Sequence, residues 1–310
     1  DNGGAIANAD TTSWSLLDVD FIGNEASRSG GAVYFYPYWS GSGDLDIRGN
    51  FTTNDAQNGG AIYAFSSNSL SIEDSTFTSN TATNDGGALY IDQVSYFTAK
   101  RAETCLNSAS ADGGAAYIHT YNSSSWKNSS FTENTSGQEG GAIYVTSSAF
   151  SLINNTFLSN SATIAGAAAY AQSTSGPWEN NLFAHSTGTN AVYGKSNGTT
   201  LDYNSWWDND THRGGDAASG ANAVEDQDPL LSSYTEDLDC TNDRLWPTPP
   251  SPLMDSGDPN AKYDDVTILY GETATNDIGL YGGPHAPTLP YADGDGDGWL
   301  SIDDCDDTNN

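Results

Sequence analysis

Basic side chains are scarce in this sequence, which has nine Lys and Arg against 41 Asp and Glu and a formal net charge of -32. Nucleic-acid binding needs clustered Lys and Arg to neutralise phosphates, so this balance excludes nucleic acid as a partner. An acidic surface instead favours cations, salty surroundings, or solubility through mutual repulsion. No segment approaches the roughly 18 consecutive apolar residues of a membrane-spanning helix, so no membrane span is expected.

Cysteine is also rare, with three residues that do not by themselves identify the redox compartment. Low Lys content, richness in Asn, Ser, Thr and Gly, and acidity favour an extracellular or cell-surface location. Aromatic residues make up 11% of the chain, which argues against disorder. The opening Asp-Asn-Gly-Gly-Ala-Ile reads as the middle of a repeat, which predicts a mature or trimmed chain.

A pattern Gly-Gly-Ala-aliphatic-Tyr recurs through the first two thirds of the chain. Its copies, including an incomplete first and a degraded last one, begin at Gly3, Gly30, Gly59, Gly86, Gly113, Gly140 and Gly166. The spacings are 27, 29, 27, 27, 27 and 26 residues. A fixed period of this size is the signature of a repeat architecture.

A second pattern, Phe-x-x-Asn, lies between the glycine motifs. It begins at Phe21, Phe51, Phe77, Phe131 and Phe157, with a weaker copy at Phe183. In the fourth repeat we assign Cys105 to the Phe position and Ser108 to the Asn position. Because the two patterns stay in phase, they identify a genuine internal repeat.

Each repeat is too short for a domain but suits one coil of three short strands. Short β-rich runs alternate with Gly, Asn, Asp and Ser turn clusters, and no helical periodicity is present. The predicted fold class is all-β, a right-handed single-stranded parallel β-helix with irregular C-terminal coils and an acidic tail. We expect regular coils at 1–193, longer irregular coils that cap the C-terminal end at 194–287, and the acidic tail at 288–310.

Equivalent positions of stacked coils should form ladders about 4.8 Å apart. The aliphatic and Phe columns are expected to face inward, and the Asn column to bond amide to amide along the axis. The Tyr column has the opposite parity and should point outward, either only stabilising the helix or forming a stripe that binds sugars or proteins. Its members are Tyr34, Tyr63, Tyr90, Tyr117, Tyr144, Tyr170 and Tyr193.

The tail carries the repeated string Asp-Gly-Asp-Gly-Asp-Gly from Asp293 to Gly298. Oxygen ligands at loop positions 1, 3, 5, 9 and 12, with Gly at position 6, are the arrangement of a calcium loop. Magnesium fits less well because it prefers a small octahedron and keeps its waters. The sequence therefore predicts calcium as a cofactor. The expected ligands are the side chains of Asp293, Asp295, Asp297 and Asp304, the carbonyl of Trp299, and Ser301 directly or through water.

The alternating Gly-Gly-Ala-Ile and Phe-x-x-Asn motifs resemble the repeats of chlamydial polymorphic outer-membrane proteins and related secreted bacterial β-helix proteins, over residues 1–193. Segments 251–259 and 277–284 are similar to the closing coils of surface-associated bacterial β-helices. The tail is similar to dockerin-like and thrombospondin-type-3-like calcium repeats. These resemblances imply adhesion, surface display and, in some members, polysaccharide processing.

We therefore expect an extracellular structural or adhesive surface protein, possessing no enzymatic activity. Unpaired strand edges in the first coil predict a filament subunit that stacks end to end, or upstream coils that are missing. A cell-surface or glycan partner is the other expectation. The alternative function is a polysaccharide lyase or glycoside hydrolase, for which Asp202, Asp208 and Asp210 beside Trp206 and Trp207 are the best carboxylate cluster.

The cysteines give two further expectations. Because Cys105 is assigned to a core Phe position, a buried free thiol is expected there. Cys240 and Cys305 are free to pair with each other, or Cys305 with a residue outside this chain, and spacing does not decide between these pairings.

Overall fold

The computed structural model describes residues 1–10, 12–37, 42–196, 198–267, 270, 272–289 and 300–302. These residues form 27 β-strands and one 3-10 turn (Ala261–Tyr263), and no α-helix is present among them. The strands are β1 (Ile6–Asn8), β2 (Trp14–Ile22), β3 (Val33–Phe35), β4 (Ser42–Thr52), β5 (Asp55–Ala56), β6 (Ile62–Phe65), β7 (Ser67–Thr78), β8 (Thr81–Ala82), β9 (Leu89–Val94), β10 (Tyr96–Cys105), β11 (Ser108–Ala109), β12 (Ala116–Lys127), β13 (Ser130–Thr132), β14 (Thr135–Ser136), β15 (Ile143–Ile153), β16 (Thr156–Leu158), β17 (Ser161–Ala162), β18 (Ala169–Gln172), β19 (Ser175–Glu179), β20 (Leu182–Ala184), β21 (Asn190–Lys195), β22 (Gly198–Asp202), β23 (Ser205–Trp207), β24 (Thr211–Gly215), β25 (Val224–Glu225), β26 (Leu231–Ser233) and β27 (Arg244–Pro247).

Strands β1 to β25 pair in parallel with the equivalent strands one coil away, which makes a parallel β-solenoid of about seven turns. The tyrosine face contains the glycine motifs and is built from β1, β3, β6, β9, β12, β15, β18, β21 and β24. The phenylalanine face is built from the ends of β2, β4, β7 and β10 and from β13, β16, β20, β23 and β25. The predicted all-β solenoid is confirmed.

The core lies inside the coils, where equivalent apolar residues stack on one another. On the tyrosine face the aliphatic column, represented by Val33, Ile62 and Leu89, is fully buried. On the phenylalanine face, the ring centroids of Phe131 and Phe157 are 4.3 Å apart. Burial of each such side chain contributes roughly 1.5–3 kcal/mol. Stacking of identical apolar residues therefore stabilises every coil against its neighbours.

A column of buried asparagines closes the turn after the phenylalanine face. Asn80 Nδ2 donates to Asn107 Oδ1 (3.0 Å) and to the carbonyl oxygen of Phe51 (2.9 Å), and Asn107 Oδ1 also accepts the backbone N–H of Asn80 (3.0 Å). The same three bonds recur from coil to coil. The column consists of Asn24, Asn54, Asn80, Asn107, Asn134 and Asn160. The predicted amide ladder is confirmed.

A second asparagine column, which the repeat motifs did not reveal, lies before the phenylalanine face in the later coils. Asn155 Nδ2 donates to Asn181 Oδ1 (3.0 Å), and Asn181 Nδ2 donates to Asn204 Oδ1 (3.0 Å). All three side chains are fully buried. In the fifth coil Ser129 holds this position, so the column begins only in the next coil, where Asn stands two residues before the aromatic residue.

The glycine pair serves two steric purposes. The first glycine of each pair is left-handed, with φ of 66° at Gly86 and 69° at Gly113, a conformation that residues with a side chain resist. At the second position, a Cβ on Gly87 or Gly114 would collide with the carbonyl oxygen of the equivalent residue in the next coil. The bend and the close stacking both require glycine.

Our assignment of the fourth repeat is wrong by one residue. β10 pairs Thr104 with both Phe77 and Phe131, so Thr104 holds the phenylalanine position. Asn107, and not Ser108, continues the asparagine column. Successive strand residues point to opposite faces, and the side chain of Cys105 is therefore directed away from the core that Thr104 faces.

The outward direction of Cys105 explains a second correction. Cys105 forms a disulfide with Cys240, with a Cα–Cα distance of 6.4 Å. The predicted free thiol at Cys105 is wrong. Of the pairings left open for the other cysteines, the one between Cys240 and Cys305 does not form, because Cys240 is bonded to Cys105; Cys305 itself lies outside the described residues. A thiol on the outer side of the phenylalanine face meets a later segment of the chain that folds back over it.

That later segment, which consists of residues 228–267, 270 and 272–289, is called the flank segment below. Parallel pairing continues past residue 193 through β22 to β25, and the flank segment then lies along the outer side of the phenylalanine face. There Leu253 and Ile278 pack on Leu158, Leu182 and Ala184 in a separate apolar cluster. Within the described residues, no helix is long and apolar enough to cross a membrane.

The disulfide gives a direct chemical prediction. Proteolysis without reductant, followed by mass spectrometry, should recover one linked peptide pair that contains Cys105 and Cys240. Cys240→Ser should lower the free energy of unfolding by about 2–5 kcal/mol, because it releases a long closed loop. Recovery of a Cys240–Cys305 pair from the native protein would contradict this connectivity.

The asparagine column gives a stability prediction. Asn134→Ala removes the acceptor of the Asn107 N–H (3.0 Å) and the donor to the Thr104 carbonyl (3.0 Å), both buried. Since each buried group left unpaired costs roughly 1–3 kcal/mol, we expect a loss of about 3–5 kcal/mol in the urea unfolding free energy. The neighbouring exposed variant Thr135→Ala is the control and should change it by less than about 0.5 kcal/mol. Equal urea unfolding midpoints for the two variants would refute the prediction that the asparagine column contributes this much to stability.

Candidate functional site

The predicted calcium loop lies almost entirely outside the described residues. This applies to Asp293, Asp295, Asp297, Trp299 and Asp304. Ser301 is described and lies in a turn, half-buried, between Leu300 and Ile302, which pack in a cluster with Trp246. Calcium binding by this loop remains a prediction.

The tyrosine column forms a continuous stack along the tyrosine face. Consecutive ring centroids, from Tyr34 to Tyr193, are 5.3, 4.9, 4.9, 5.1, 5.1 and 5.4 Å apart, with interplanar angles of 13° or less. Tyr144 and Tyr170 are buried, and the Tyr144 hydroxyl donates to Gln172 Oε1 (2.9 Å). Burial raises the pKa of Tyr117 and Tyr170 to about 12, so these phenols stay neutral.

Stacking determines what the tyrosine column can offer to a ligand. A sugar binds an aromatic residue through the face of the ring, and each inner ring has both faces covered by its neighbours. At the far end the backbone of Gly215 covers Tyr193, since a Cβ added there would lie 2.9 Å from the Tyr193 ring. The column presents ring edges and hydroxyls outward, which favours the stabilising alternative over a sugar-stacking surface.

An acidic column accompanies the tyrosines in three successive coils, where Asp85, Asp112 and Glu139 precede the glycine pair. Asp85 Oδ1 accepts the N–H of Asp112 (3.1 Å), and Asp112 Oδ1 accepts the N–H of Glu139 (3.0 Å). Burial, and to a smaller extent repulsion by Asp85 and Glu139, raises the pKa of Asp112 to about 6. The pKa of Asp85 is also raised by burial. These carboxylates cap backbone N–H groups, yet their charges act against one another.

The carboxylates proposed for glycoside hydrolysis each contact a residue of a neighbouring coil. Asp202 accepts two hydrogen bonds from Asn222, Asp208 pairs with His185 (3.1 Å), and Asp210 accepts the N–H of Gly188 (2.8 Å). Trp206 is fully buried and stacks on Phe183 as the next ring of the phenylalanine column (4.7 Å). Trp207 is partly buried against the apolar cluster that contains Leu158 and Leu182.

Three asparagines with left-handed backbone hold the flank segment. Asn128, Asn154 and Asn180 have φ of 45°, 56° and 61°, and we call them the docking asparagines. Asn128 Nδ2 donates to the carbonyls of Leu280 (2.9 Å) and Gly282 (2.6 Å), Asn154 Nδ2 donates to that of Asp277 (2.9 Å), and Asn180 Oδ1 accepts the N–H of Asp258 (2.8 Å). The same turn in earlier coils has Asp74 and Arg101, which form an ion pair (2.6 Å).

Beside the docking asparagines, the flank segment gathers three acidic side chains, which we call the acidic cluster. Asp265, Glu272 and Asp277 each place a carboxylate oxygen within 4.8 Å of the others. Asp265 Oδ2 accepts the N–H of Asp277 (2.9 Å), and its Oδ1 accepts the N–H of Gly283. Asp277 Oδ1 accepts the N–H of Asp255 (2.7 Å). This donor set is able to hold a metal ion.

Electrostatics makes the acidic cluster costly without a positive charge. Burial, and then repulsion by Asp277, raises the pKa of Asp265 well above its usual range. Burial, and then repulsion by Glu272, raises the pKa of Asp277 in the same way. Asp277 is 1% exposed, and its Oδ2 receives no hydrogen bond from any described residue.

The sequence carries part of the signal for this cluster. Asp277 opens segment 277–284, which resembles the closing coils of surface-associated β-helices. An aspartate followed by Ile278 and Leu280, both buried, is a polar residue within an apolar stretch and signals burial. The proximity of Asp277 to Glu272 depends on an irregular loop that no repeat pattern predicts.

Comparison with protein families finds the Chlamydia polymorphic membrane protein repeat at residues 18–36, 74–92 and 128–146. Each match covers one Phe-x-x-Asn turn and the glycine motif that follows it, and together the matches cover less than a fifth of the chain. The chain is therefore similar to these proteins in its repeats. No curated protein and no solved structure matches the chain significantly.

The acidic column predicts how stability depends on pH. Asp112 titrates near pH 4 in the unfolded chain and at about 6 in the fold, so the folded state binds more protons between these values. Stability should fall as pH rises through this window. Asp112→Asn keeps the acceptor for Glu139 and removes the charge, so it should raise the free energy of unfolding at pH 8 by about 1 kcal/mol, a figure discounted for solvent screening, and leave it unchanged at pH 4. The exposed Asp46→Asn is the control in thermal melts, and a parallel shift at both pH values would contradict the prediction.

Proposed function

We propose that this chain is an extracellular surface protein with a structural or adhesive role and without catalytic activity. Three observations support it. The repeats are similar to those of the Chlamydia polymorphic membrane protein family, which suggests display at the cell surface. The disulfide between Cys105 and Cys240 fits an oxidising compartment. The net charge of -32 keeps such a rod soluble and directs it toward cations and away from nucleic acid.

The single observation that carries the proposal is the continuity of the ladders. The tyrosine, phenylalanine and asparagine columns run from coil to coil in register, and they satisfy their own stacking and hydrogen-bonding groups. The solenoid is therefore a rigid rod with a repetitive surface. Such a rod is suited to spanning a distance and to presenting the ring edges and hydroxyls of the tyrosine column. The carboxylates considered for catalysis serve instead as turn acceptors.

The rod also has an open end at its first coil. Within the described residues, β1 pairs only with β3, and β2 only with β4. Trp14, Leu16 and Phe21, whose equivalents in later coils are fully buried, are only partly buried here. Unpaired strand edges and apolar side chains at one end favour addition of a further coil. We propose that a second copy of the chain supplies it, stacked end to end; coils that precede residue 1 in a longer chain are the alternative.

Electron microscopy and sedimentation of the purified chain test this assembly. We expect rods whose length and sedimentation coefficient grow with concentration. Leu16→Lys places a charge in the end surface and should reduce the assembly to single rods. Leu17→Lys, on the outward side of the same strand and 49% exposed, is the matched control and should assemble normally. A strictly monomeric wild-type chain at high concentration would refute end-to-end stacking.

The glycan-cleaving alternative has its own test. The oxidised chain is incubated with acidic and neutral polysaccharides, and the reducing ends and unsaturated products are measured. We expect no product above a heat-denatured control, and retention of the chain on some glycans or cell surfaces in a parallel binding assay. Product release that disappears in Asp208→Asn or Asp210→Asn would establish the enzyme and refute the proposed function.

A further inference from the structure

The geometry points to a divalent-cation site, suited to calcium, in which Asp265, Glu272 and Asp277 bind the ion and fasten the flank segment to the side of the solenoid. This site differs from the calcium loop predicted in the tail and shares no residue with it. It also does not depend on whether the chain is adhesive. The inference starts from the three carboxylates of the acidic cluster, which lie within 4.8 Å of one another.

Asp277 has a buried carboxylate oxygen without a hydrogen-bond partner among the described residues, which gives evidence for a bound ion beyond the clustering of acidic residues. Its side chain is 1% exposed, and one oxygen, Oδ1, accepts the N–H of Asp255 (2.7 Å). The other oxygen, Oδ2, is buried and receives no hydrogen bond from the described residues. A buried carboxylate oxygen without a donor is unfavourable, because burial removes its hydration and nothing replaces it. A cation bound between the three carboxylates removes this cost.

The charges that act most strongly on the two buried aspartates are all carboxylates. The charges that act most strongly on Asp277 come from Glu272 and Asp255, and those on Asp265 come from Asp277 and Asp255. All of them are negative. Backbone N–H groups already occupy both oxygens of Asp265, which fixes its orientation toward the cluster. The protein thus holds three carboxylates close together, and their mutual repulsion favours a bound cation.

Calcium fits this arrangement better than magnesium. Three carboxylates offer up to six oxygens, in mono- or bidentate contact, and calcium accepts six to eight oxygens in flexible geometry. Glu272 is only half-buried, so water can reach the open side of the cluster and complete the coordination. Magnesium demands a small regular octahedron and retains its waters, which a largely buried cluster does not accommodate as easily.

The position of the cluster makes it a fastening of the flank segment. Asp277 is also the residue whose carbonyl accepts Asn154 Nδ2 (2.9 Å), and the chain that follows it is held by Asn128 and by Thr156. Asp265 binds both the start of this stretch, at the N–H of Asp277, and its end, at the N–H of Gly283. An ion that neutralises the cluster therefore stabilises the stretch 277–283 on the docking asparagines.

The experiment uses the full oxidised chain, freed of metal with EDTA, in a background that removes the tail loop (Asp293→Asn, Asp295→Asn and Asp297→Asn together). Calorimetry should still detect one calcium per chain. Calcium at about ten times its Kd should slow hydrogen exchange in peptides covering 272–289 by about tenfold, with a much smaller effect of magnesium. Glu272→Gln should weaken calcium binding by at least about tenfold and remove this protection.

Asp264→Asn is the matched control, because Asp264 is exposed and adjoins Asp265 in sequence but is not in the cluster. It should bind calcium like the parent chain. Asp277→Asn should also abolish binding. If that variant fails to fold, Glu272→Gln decides the question, since Glu272 is only half-buried and its melting temperature in EDTA reports whether the fold is intact. The inference is overturned by any of three results: no calcium bound in the tail-loop background, full protection retained in Glu272→Gln, or equal loss of binding in Asp264→Asn.

Discussion

The hydrogen bond between one buried asparagine amide and the next is the interaction on which the rest of this structure depends. At the turn after each Phe, the backbone N–H and C=O point into a region without water, and strand pairing does not satisfy them. The amide of Asn107 satisfies both, by accepting from the Asn80 N–H and donating to the Phe77 carbonyl, while it also bonds to Asn134. The side chain can do this only if the next coil stands in register, so the amide column sets the register that the Phe and Tyr stacks then use.

The outer surface of the phenylalanine face differs between the early and the late coils, and this difference positions the flank segment. In the early coils the turn residues are charged and pair with each other in solvent, as Arg48 does with Asp18 (2.7 Å). In the later coils the same turns carry the docking asparagines, whose amides donate to the carbonyls of another segment. Leu158 and Leu182, which point outward from the neighbouring strands, are apolar as well. An outward surface with these residues must be covered, and the flank segment covers it.

Covering that surface brings acidic residues out of water, and this creates the electrostatic problem from which the cation inference arises. The chain has few basic side chains to offset its carboxylates. Most acidic residues avoid the problem by remaining exposed or by accepting N–H groups at turns, as Asp112 does. Asp265 and Asp277 also accept N–H groups, but they are buried together with Glu272 nearby. The same acidity that favours solubility of the rod therefore makes the flank segment dependent on a positive charge.

Much of the solenoid could be predicted from the sequence, because in a parallel stack each position contacts its own equivalents and the period alone determines the contacts. The all-β class, the inward Phe column and the Asn ladder follow from that rule. The rule failed where the motif degenerates: Thr104 replaces a Phe, and only strand pairing shows that Cys105 faces outward and not into the core. The flank segment has no repeat, so its path, the disulfide and the acidic cluster depend on contacts between residues far apart in the chain. Sequence by itself determined which residues stack along the axis; only the tertiary structure decided what lies against the outer side, because those contacts come from packing between non-equivalent segments and leave no periodic signal.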